Sequence, residues 1–380
     1  MVKPGSAGVP PASSTKRARC PRSQGYLLLI LLVGLATCSS APSIAVDIRP
    51  ALRTDPVSAD PDDPAIWVHP TDPALSLIIG TNKVQAPGGA LVVFGLDGKA
   101  RQTVAGLDRP NNVDIEYGFA LGDIAVATER LRSQLRIFRI TPDGINDITS
   151  AGKTRVFTDR SGEEAAPMGI ALFKRPRDGA IFAIVAPKSG PRQGYLGQYR
   201  LEDDGQGRVK ATFVRYFGRF SGMGEIEAVA VDDALGYVYY ADEGDGIHKY
   251  HADPAHPEAS RELAHFGRSG FRADREGIAI YERNDGTGYI VCTDQIAGNS
   301  EYHVYRREGE PGRPHDHNTL LKVVRGGADS TDGLEITSRP LGPKFPAGLM
   351  VAMNGSGRNF LVFRWEDVAN AGVVKLLVGR

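Results

Sequence analysis

The sequence predicts an all-β fold, a six-bladed β-propeller preceded by an N-terminal export signal, and three observations lead to this prediction. A short segment recurs six times, in which polar and small residues precede alternating apolar positions. Alternation of this kind is strand periodicity. Each copy is followed by two further strand-like segments, and the copies lie about 50 residues apart, a spacing typical of repeated small sheets. Six such copies make a six-bladed propeller, whereas a two-sheet sandwich would not repeat the same strand triplet six times.

The N-terminal segment has the composition of an export signal. Basic residues between positions 16 and 22 precede an apolar run at 26–36, and small residues follow the run. The run is too short for a stable membrane span. Cleavage after Ala45 and lipid attachment at Cys38 are both open. We assign residues 1–45 to a signal peptide and lead-in and residues 46–380 to a single propeller domain, and we expect a secreted or periplasmic protein.

The overall composition is that of a folded protein with balanced charge. Hydrophobic residues make up 41% of the chain and charged residues 24%, which is enough for a packed core. The 45 basic and 45 acidic side chains cancel, and this argues against a nucleic-acid partner. Cys292 is the one cysteine of the predicted domain, and a lone cysteine in a strand is usually a small core residue. We expect a monomer.

Each repeat begins with a strand whose first residues are polar or small. The six copies lie at 62–68, 112–116, 168–172, 227–231, 276–280 and 330–337. Second strands are predicted at 77–81, 123–127, 181–185, 237–241, 289–293 and 348–352. Third strands carry core aromatics at matching places, namely Phe94, Phe138, Tyr199, Tyr250, Tyr305 and Phe363. The last repeat lacks a clear fourth strand, so either 373–377 or the segment 46–60 closes the propeller and removes an exposed edge.

The polar ends of the first and second strands are expected to meet at one face. Each innermost strand starts at that face, and the antiparallel second strand returns to it. The inner ring contains Asp62, Asp63, Asn112, Asp114, Met168, Glu225, Glu227, Asp274, Glu276, Asp329 and Asp332. The outer ring contains Lys83, Arg130, Lys188, Asp242, Glu243, Asp245, Asp294 and Asn354. Blades one to three therefore offer cations, and blades four to six offer carboxylates.

The signs of these side chains favour a metal site beside an anion site. Clustered carboxylates repel each other unless they are protonated or bind metal. Ligands that are all oxygen select a hard cation, and Ca²⁺ tolerates the irregular geometry of loops. Metal beside lysine and arginine suits a multiply phosphorylated ligand. Taken singly, such a carboxylate is more often a turn former and such a cation a surface ion-pair partner, so the recurrence across blades carries the prediction.

The histidines show no paired ligand spacing across the two rings. We therefore assign no role to His69, His248, His251, His303, His315 and His317.

These motifs resemble those of the β-propeller phytase family over essentially the whole mature chain. The matching motifs are Asp62-Asp-Pro-Ala-Ile-Trp67, Gly80-Thr-Asn-Lys83, Asn111-Asn-Val-Asp114, Asp123-Ile-Ala-Val-Ala127, Asp332-Gly333 and Ala352-Met-Asn-Gly355. The resemblance implies a secreted, calcium-dependent, 3-phytase-like phosphoric monoester hydrolase that acts on phytate (inositol hexakisphosphate) or related inositol phosphates. It also implies several Ca²⁺ ions that bridge phosphates to carboxylates, with a calcium-coordinated water as the nucleophile.

The resemblance further implies roles for particular side chains. The catalytic set is Lys83, Arg130, Lys188, Glu227 and Glu276, and its three cations also bind substrate. The implied metal ligands are Asp62, Glu227, Asp242, Glu243, Asp274, Glu276 and Asp332, to which we add Asp63 and Asp329 from the inner ring. Three positions depart from the family pattern: Val84 replaces a lysine, Met168 a phosphate-binding tyrosine, and Glu116 an arginine. We expect weaker binding of a second phosphate or a preference for a less phosphorylated substrate.

Two other functions are open on the sequence alone. A non-catalytic propeller, secreted or lipid-anchored, would bind a ligand or partner protein on the same face. A calcium-dependent lactonase or another hydrolase is the weaker alternative, because its chemistry does not call for three cations on one side of the site.

Overall fold

The computed structural model describes residues 44–379, which form six sheets arranged as the blades of a propeller. Two short strands come first, β1 (Val46–Asp47) and β2 (Leu52–Arg53). Blade 1 contains β3 (Pro61–Trp67), β4 (Leu77–Asn82), β5 (Gly89–Gly95) and β6 (Ala100–Leu107). Blade 2 contains β7 (Pro110–Phe119), β8 (Gly122–Glu129), β9 (Gln134–Thr141) and β10 (Gly144–Asp147). Blade 3 contains β11 (Pro167–Lys174), β12 (Ile181–Pro187), β13 (Gln193–Asp203) and β14 (Val209–Arg219).

The second half of the chain repeats this design. Blade 4 contains β15 (Val229–Asp232), β16 (Tyr237–Asp242), β17 (Gly246–His251) and β18 (Ala264–Phe266). Blade 5 contains β19 (Ile278–Glu282), β20 (Gly288–Asp294), β21 (Glu301–Arg306) and β22 (Lys322–Arg325). Blade 6 contains β23 (Leu334–Thr337), β24 (Leu349–Asn354) and β25 (Asn359–Arg364). Single 3₁₀ turns occur at Pro73–Leu75, Arg130–Arg132 and Gly162–Ala165, and β25 leads into helix α1 (Trp365–Asn370).

The first strand of every blade is the innermost one. Residues of β3, β7, β11, β15, β19 and β23 together line a central channel of about 350 Å³. The remaining strands of each blade follow outward in antiparallel order. The predicted first and second strands agree with these positions, so the six-bladed propeller expected from the sequence is confirmed.

The propeller is closed by the segment that precedes blade 1. Strand β2 pairs antiparallel with β25, with Leu52 opposite Val362, and it supplies the fourth strand of blade 6. Strand β1 pairs in parallel with β22 and becomes a fifth strand of blade 5. Residues 373–377 form no strand. The alternative that segment 46–60 closes the last blade is therefore correct. The segment covers the outer edges of two sheets, those of blades 5 and 6.

The core is divided into layers between neighbouring blades. The six third-strand aromatics predicted from their spacing are at most 2% exposed, and each packs against the preceding blade, with blade 6 preceding blade 1 around the ring. Cys292 is a fully buried residue of β20, where burial raises the pKa of its thiol. The burial of the six aromatics and of Cys292 is expected for strands whose two faces are both covered by adjacent sheets.

The small residue in three of the repeated segments has a steric cause. A Cβ on Gly169 would lie within 3.0 Å of the backbone of Glu227, the inner-ring residue of the next blade. A Cβ on Gly277 meets the carbonyl oxygen of Asp332 in the same way, and one on Gly333 meets Asp62 and Asp63. The inner strands are thus closest where the acidic residues lie, because they converge on the channel mouth.

The proposed signal peptide and the attachment residue Cys38 lie outside the described residues. No helix within residues 44–379 has the length and apolar character needed to span a membrane.

Candidate active site

The predicted rings converge at one end of the channel, which we call the mouth. Lys83, Lys188 and Glu243 directly follow second strands, and Arg130 opens the 3₁₀ turn after β8. Arg130 interacts electrostatically with Glu227, and Glu227 interacts with Glu276 of the adjacent blade. The cations of blades 1 and 2 and the carboxylates of blades 4 and 5 therefore share one mouth.

Six carboxylates form what we call the carboxylate cluster: Asp62, Glu227, Glu243, Asp274, Glu276 and Asp332. One oxygen each from Glu243, Asp274 and Glu276 lies within 4.8 Å of the others. Glu276 further interacts with Glu227 and Asp332. The carboxyl groups of Asp62 and Asp332 are close enough to hydrogen-bond when one of them is protonated. Four blades do not usually contribute like charges to one place without a cation.

Burial and mutual repulsion raise the pKa of most of these groups. Burial raises the pKa of Glu227 to about 7, with Lys83 opposing the shift and Asp62 adding to it. Burial, with the charges of Glu227 and Asp274, raises the pKa of Glu243 to about 7. The pKa of Glu276 is raised well above its usual value by burial, with Glu227 next in effect. Without a bound cation, much of the cluster is protonated near neutral pH.

Lys83 connects the cation side of the mouth to the carboxylate cluster. Its ammonium group forms an ion pair with Asp62 and lies 3.6 Å from Oδ2 of Asp332. Burial disfavours its charge, but Asp62 and Glu227 more than compensate, so the pKa of Lys83 is raised. The predicted separation into a cationic half and an acidic half is therefore wrong at this point, because blade 1 is adjacent to blade 6 and its lysine lies among the acids.

The other cations differ in how they are paired. Lys188 forms an ion pair with Glu225, whose backbone amide donates a hydrogen bond to Oε2 of Glu243 (2.8 Å). The guanidinium of Arg130 makes no hydrogen bond or ion pair with any residue of 44–379. Burial lowers the pKa of Arg130, and the neighbouring charge of Arg109 lowers it further. A half-buried guanidinium without a partner is available to an anionic ligand.

Arg109 is a residue of the mouth that the sequence analysis missed. Its backbone carbonyl accepts a hydrogen bond from the Arg130 amide (3.1 Å), and its amide donates to Val84 (3.0 Å). The backbone adopts φ 59°, and its buried Nε has no acceptor among the described residues. The sequence could have indicated Arg109 through its place two residues before the Asn111-Asn-Val-Asp114 motif. It was missed because only residues at predicted strand ends were considered.

Three of the predicted metal ligands use their oxygens elsewhere. Asp63 accepts a hydrogen bond from the Val113 amide (3.0 Å) inside the channel. Asp242 accepts from the amide and hydroxyl of Ser221, at 2.5 and 2.7 Å. Asp329 accepts from the Gly298 amide (2.5 Å). These three carboxylates hold loops and neighbouring blades in place, and the described geometry does not bring them into the carboxylate cluster.

Two of the three departures from the family pattern lie at the mouth. Val84 follows Lys83, and its carbonyl is the acceptor for Arg109. Met168 is fully buried, and it offers no donor in place of a tyrosine hydroxyl. Glu116 lies farther down the channel beside Asp233, so the expectation that it costs a phosphate contact is wrong. It is positioned several residues along β7 from the mouth, and strand alternation alone did not reveal that depth.

The carboxylate cluster fits Ca²⁺. Oε2 of Glu276 and Oδ2 of Asp62 are buried and accept no hydrogen bond from residues 44–379. Buried acceptors of this kind are costly unless something satisfies them. All the clustered donors are carboxylate oxygens, which are the ligands that a hard divalent cation prefers. The residues that would hold calcium are Glu243, Asp274 and Glu276, with Asp62, Glu227 and Asp332 beside them.

The fold and the site together define a six-bladed propeller that gathers buried carboxylates and a group of cations at one mouth. The chain matches the protein family described as Phytase over residues 23–376. It is 32% identical over 336 residues to a 3-phytase of Bacillus subtilis (strain 168), which covers 83% of each protein. The chain therefore belongs to the phytase family of phosphoric monoester hydrolases.

Solved structures give a looser likeness. A calcium-binding regucalcin of Agrobacterium tumefaciens is 11% identical, covers 81% of this chain and 87% of its own, and has a TM-score of 0.49. A complex of BBS1N with ARL6DN, soaked with mercury, is 12% identical, covers 84% and 97%, and has a TM-score of 0.45. These values are too low to carry an argument about function.

Proposed function

We propose that the protein is an exported, calcium-dependent phosphomonoesterase that hydrolyses phosphates from phytate or related inositol phosphates. The observation that carries the proposal is the adjacency, at one mouth, of unsatisfied carboxylate oxygens and cations without protein partners. The family relationship and the 3-phytase relative point to the same substrate class. Export is supported by the composition of residues 1–45, and the lipid anchor at Cys38 stays an alternative to cleavage after Ala45.

The residues of the mouth fall into two groups with different roles in the reaction, the carboxylates that would hold calcium and the cations that would bind phosphate. Calcium held by the carboxylate cluster would neutralise phosphate charge and lower the pKa of a coordinated water. Arg130 and Arg109 are free to donate to phosphate oxygens, and Arg130 offers a fork that matches their geometry. Lys83 is paired with Asp62 and Lys188 with Glu225, and both ammonium groups would turn part of their hydrogen bonding from these carboxylates to the phosphate. The net reaction consumes one water and yields an inositol hydroxyl and inorganic phosphate.

The departures at Val84 and Met168 bear on substrate preference. Neither side chain supplies a donor to a second phosphate, since valine and methionine both lack one. The amide of Arg109 donates to the Val84 carbonyl (3.0 Å), so one cation is near this position, but it replaces only one of the two missing donors. We therefore propose that binding of the phosphate next to the scissile one is weaker than a lysine and a tyrosine would make it.

The calcium requirement is tested by phosphate release from inositol hexakisphosphate. We expect release in the presence of Ca²⁺, loss of release in excess chelator, and recovery when Ca²⁺ is restored. Activity that is the same with and without chelator would contradict the metal assignment. Binding of phytate with no release at any calcium concentration would instead support a non-catalytic propeller.

The anion site is tested by Arg130→Ala. Removing one preorganised donor of this kind typically lowers turnover by roughly 10²- to 10³-fold. We expect such a loss while the stabilisation by Ca²⁺ in a thermal melt is unchanged, because the guanidinium contacts no carboxylate of the cluster. Arg132→Ala is the matched control, since Arg132 lies in the same turn with 61% of its side chain exposed and pairs with Asp108. Wild-type turnover in Arg130→Ala would overturn the assignment.

A further inference from the structure

A second group of potential metal ligands lies on the outer part of blade 4. It consists of Asp245, His248 and His265, whose ligand atoms lie within 4.8 Å of one another. His248 of β17 and His265 of β18 are directly opposite each other in the strand register, and their rings stack at 4.2 Å. Oδ2 of Asp245, in the turn before β17, lies 3.3 Å from Nε2 of His265 and 4.0 Å from Nε2 of His248.

Both imidazoles present an unsatisfied nitrogen to this group. Nε2 of His248 and Nε2 of His265 are buried and have no hydrogen-bond partner within residues 44–379. His248 as a whole is 2% exposed. A buried ring nitrogen without a partner is an uncommon and unfavourable feature, which a bound ligand would relieve.

The other nitrogen of His248 is held as it is in known metal sites. Nδ1 of His248 lies 3.0 Å from Oε2 of Glu262, and an ionised carboxylate can only accept, so Nδ1 carries the proton. Nε2 of His248 therefore keeps an unshared lone pair, 4.0 Å from Oδ2 of Asp245. Metal-bound histidines usually donate their second N–H to a carboxylate in this manner. Ring stacking with Tyr240 at 4.9 Å further fixes the imidazole.

We propose that Asp245, His248 and His265 bind a first-row divalent metal ion such as Zn²⁺, at a site separate from the carboxylate cluster. Two imidazoles and one carboxylate are ligands that Zn²⁺ prefers and Ca²⁺ does not. In a tetrahedral zinc site the ligand atoms lie roughly 3.3 Å apart, given bonds of about 2.0–2.2 Å. The 3.3 Å and 4.0 Å separations approach that value, so small side-chain rotations close the site.

The site has an approach from solvent and room for a further ligand. The side chains of Asp245 and His265 are 29% and 21% exposed, so an ion can enter from that side. Arg268 lies 3.7 Å from Oδ1 of Asp245 and leaves Oδ2 for the metal. The ion would join the turn before β17 to strands β17 and β18, and it would therefore stabilise the outer edge of blade 4.

The test measures Zn²⁺ binding to untagged protein saturated with Ca²⁺, by equilibrium dialysis, with Co²⁺ as a spectroscopic probe. We expect one bound Zn²⁺ that Ca²⁺ does not displace, and visible Co²⁺ bands of a histidine-bound ion. His265→Gln should abolish both, and Glu262→Gln should weaken binding by about 10- to 100-fold. His256→Gln is the control, because His256 belongs to another stacked pair, with His251.

Three results would overturn the proposal. They are the absence of stoichiometric Zn²⁺ from the wild-type protein, unchanged binding in His265→Gln, and displacement of Zn²⁺ by Ca²⁺, which would place the ion in the carboxylate cluster. Far-ultraviolet circular dichroism and a melt without metal establish that His265→Gln is folded. Because phosphate release is not the readout, the outcome is independent of the proposed phytase activity.

Discussion

At the scale of single residues, the mouth is distinguished by a few buried or half-buried charged groups that have no hydrogen-bond partner among residues 44–379. Most charged groups of a folded protein are paired or solvated, whereas Arg130 and the Nε of Arg109 are neither fully exposed nor satisfied. The same holds for Oε2 of Glu276 on the opposite side. Groups left in this state are arranged for a ligand rather than for stability.

Arg109 gives a prediction at this scale. Arg109→Ala should raise the KM for phytate and leave the calcium-induced rise in Tm unchanged, because the side chain has no structural partner and the backbone at φ 59° is equally strained with alanine. Steady-state kinetics and a thermal melt measure the two effects. Arg101→Ala is the control, since Arg101 is exposed and its one ion pair within residues 44–379 is with Asp97. An unchanged KM would remove Arg109 from the anion site.

The predicted positions at the mouth agree with the structure where a side chain's place follows from strand direction alone, and the roles of these residues stay predictions. Lys83, Arg130, Glu227 and Glu276 reach the mouth because they lie at strand ends. Asp242 and Asp329 are at equivalent ends, but their oxygens are taken by Ser221 and Gly298, and hydrogen bonds to loops are not visible in sequence spacing. Those two ligand roles therefore stay predictions that the geometry does not favour.

At the scale of elements, the close approach of inner strands explains the small residue of the repeat. Gly169→Ala places a methyl group against the backbone of Glu227, and such overpacking typically costs about 1–3 kcal/mol. We expect a loss of that size in the free energy of unfolding by denaturant. The control is Gly88→Ala, whose Cβ would lie 3.2 Å from a side-chain methyl group of Val84 and at ordinary contact distance, 3.6 Å, from the carbonyl oxygen of Gln85. Equal stability of the two variants would contradict the steric explanation.

The elements were largely predictable, and the exceptions have physical reasons. Strand alternation and hairpin turns located the first three strands of every blade, because these segments are buried between sheets. The strands β1 and β2 are two residues long and pair with the opposite end of the chain, so their periodicity is too short to detect. The pairing of His248 with His265 was missed for a similar reason, since it depends on the register of β17 and β18.

At the scale of the whole molecule, the buried carboxylates couple stability to pH and calcium. Burial raises the pKa of Glu227 and Glu243 to about 7, above the value of 4.5 for an exposed glutamate. The folded calcium-free protein therefore holds protons that the unfolded chain releases. Its stability should fall as pH rises from about 4.5 through 7, because ionisation of these groups is unfavourable in the folded state.

Calcium should reverse this trend. It requires ionised ligands, so its binding releases protons and the rise in Tm that it produces should grow between pH 5 and pH 8. Thermal melts of calcium-free and calcium-saturated protein across that range measure the effect. Glu335 lies within the channel and away from the carboxylate cluster, and burial, with the charge of Asp114, raises its pKa to about 8. Because we do not expect calcium to bind there, Glu335 should contribute to the pH dependence of Tm in the calcium-free and calcium-saturated protein alike. A calcium-induced shift in Tm that is the same at every pH would contradict protonation of the cluster.

The central claim is that one mouth holds calcium and phosphate side by side. The most direct measurement is a crystal structure of the protein soaked with Ca²⁺ and a phosphate analogue, with the ions located by anomalous scattering. We expect calcium bonded to Oε2 of Glu276 at about 2.3–2.6 Å, and a phosphate against Arg130 and Lys83. Calcium found only at other carboxylates, or a phosphate bound away from Arg130, would contradict it.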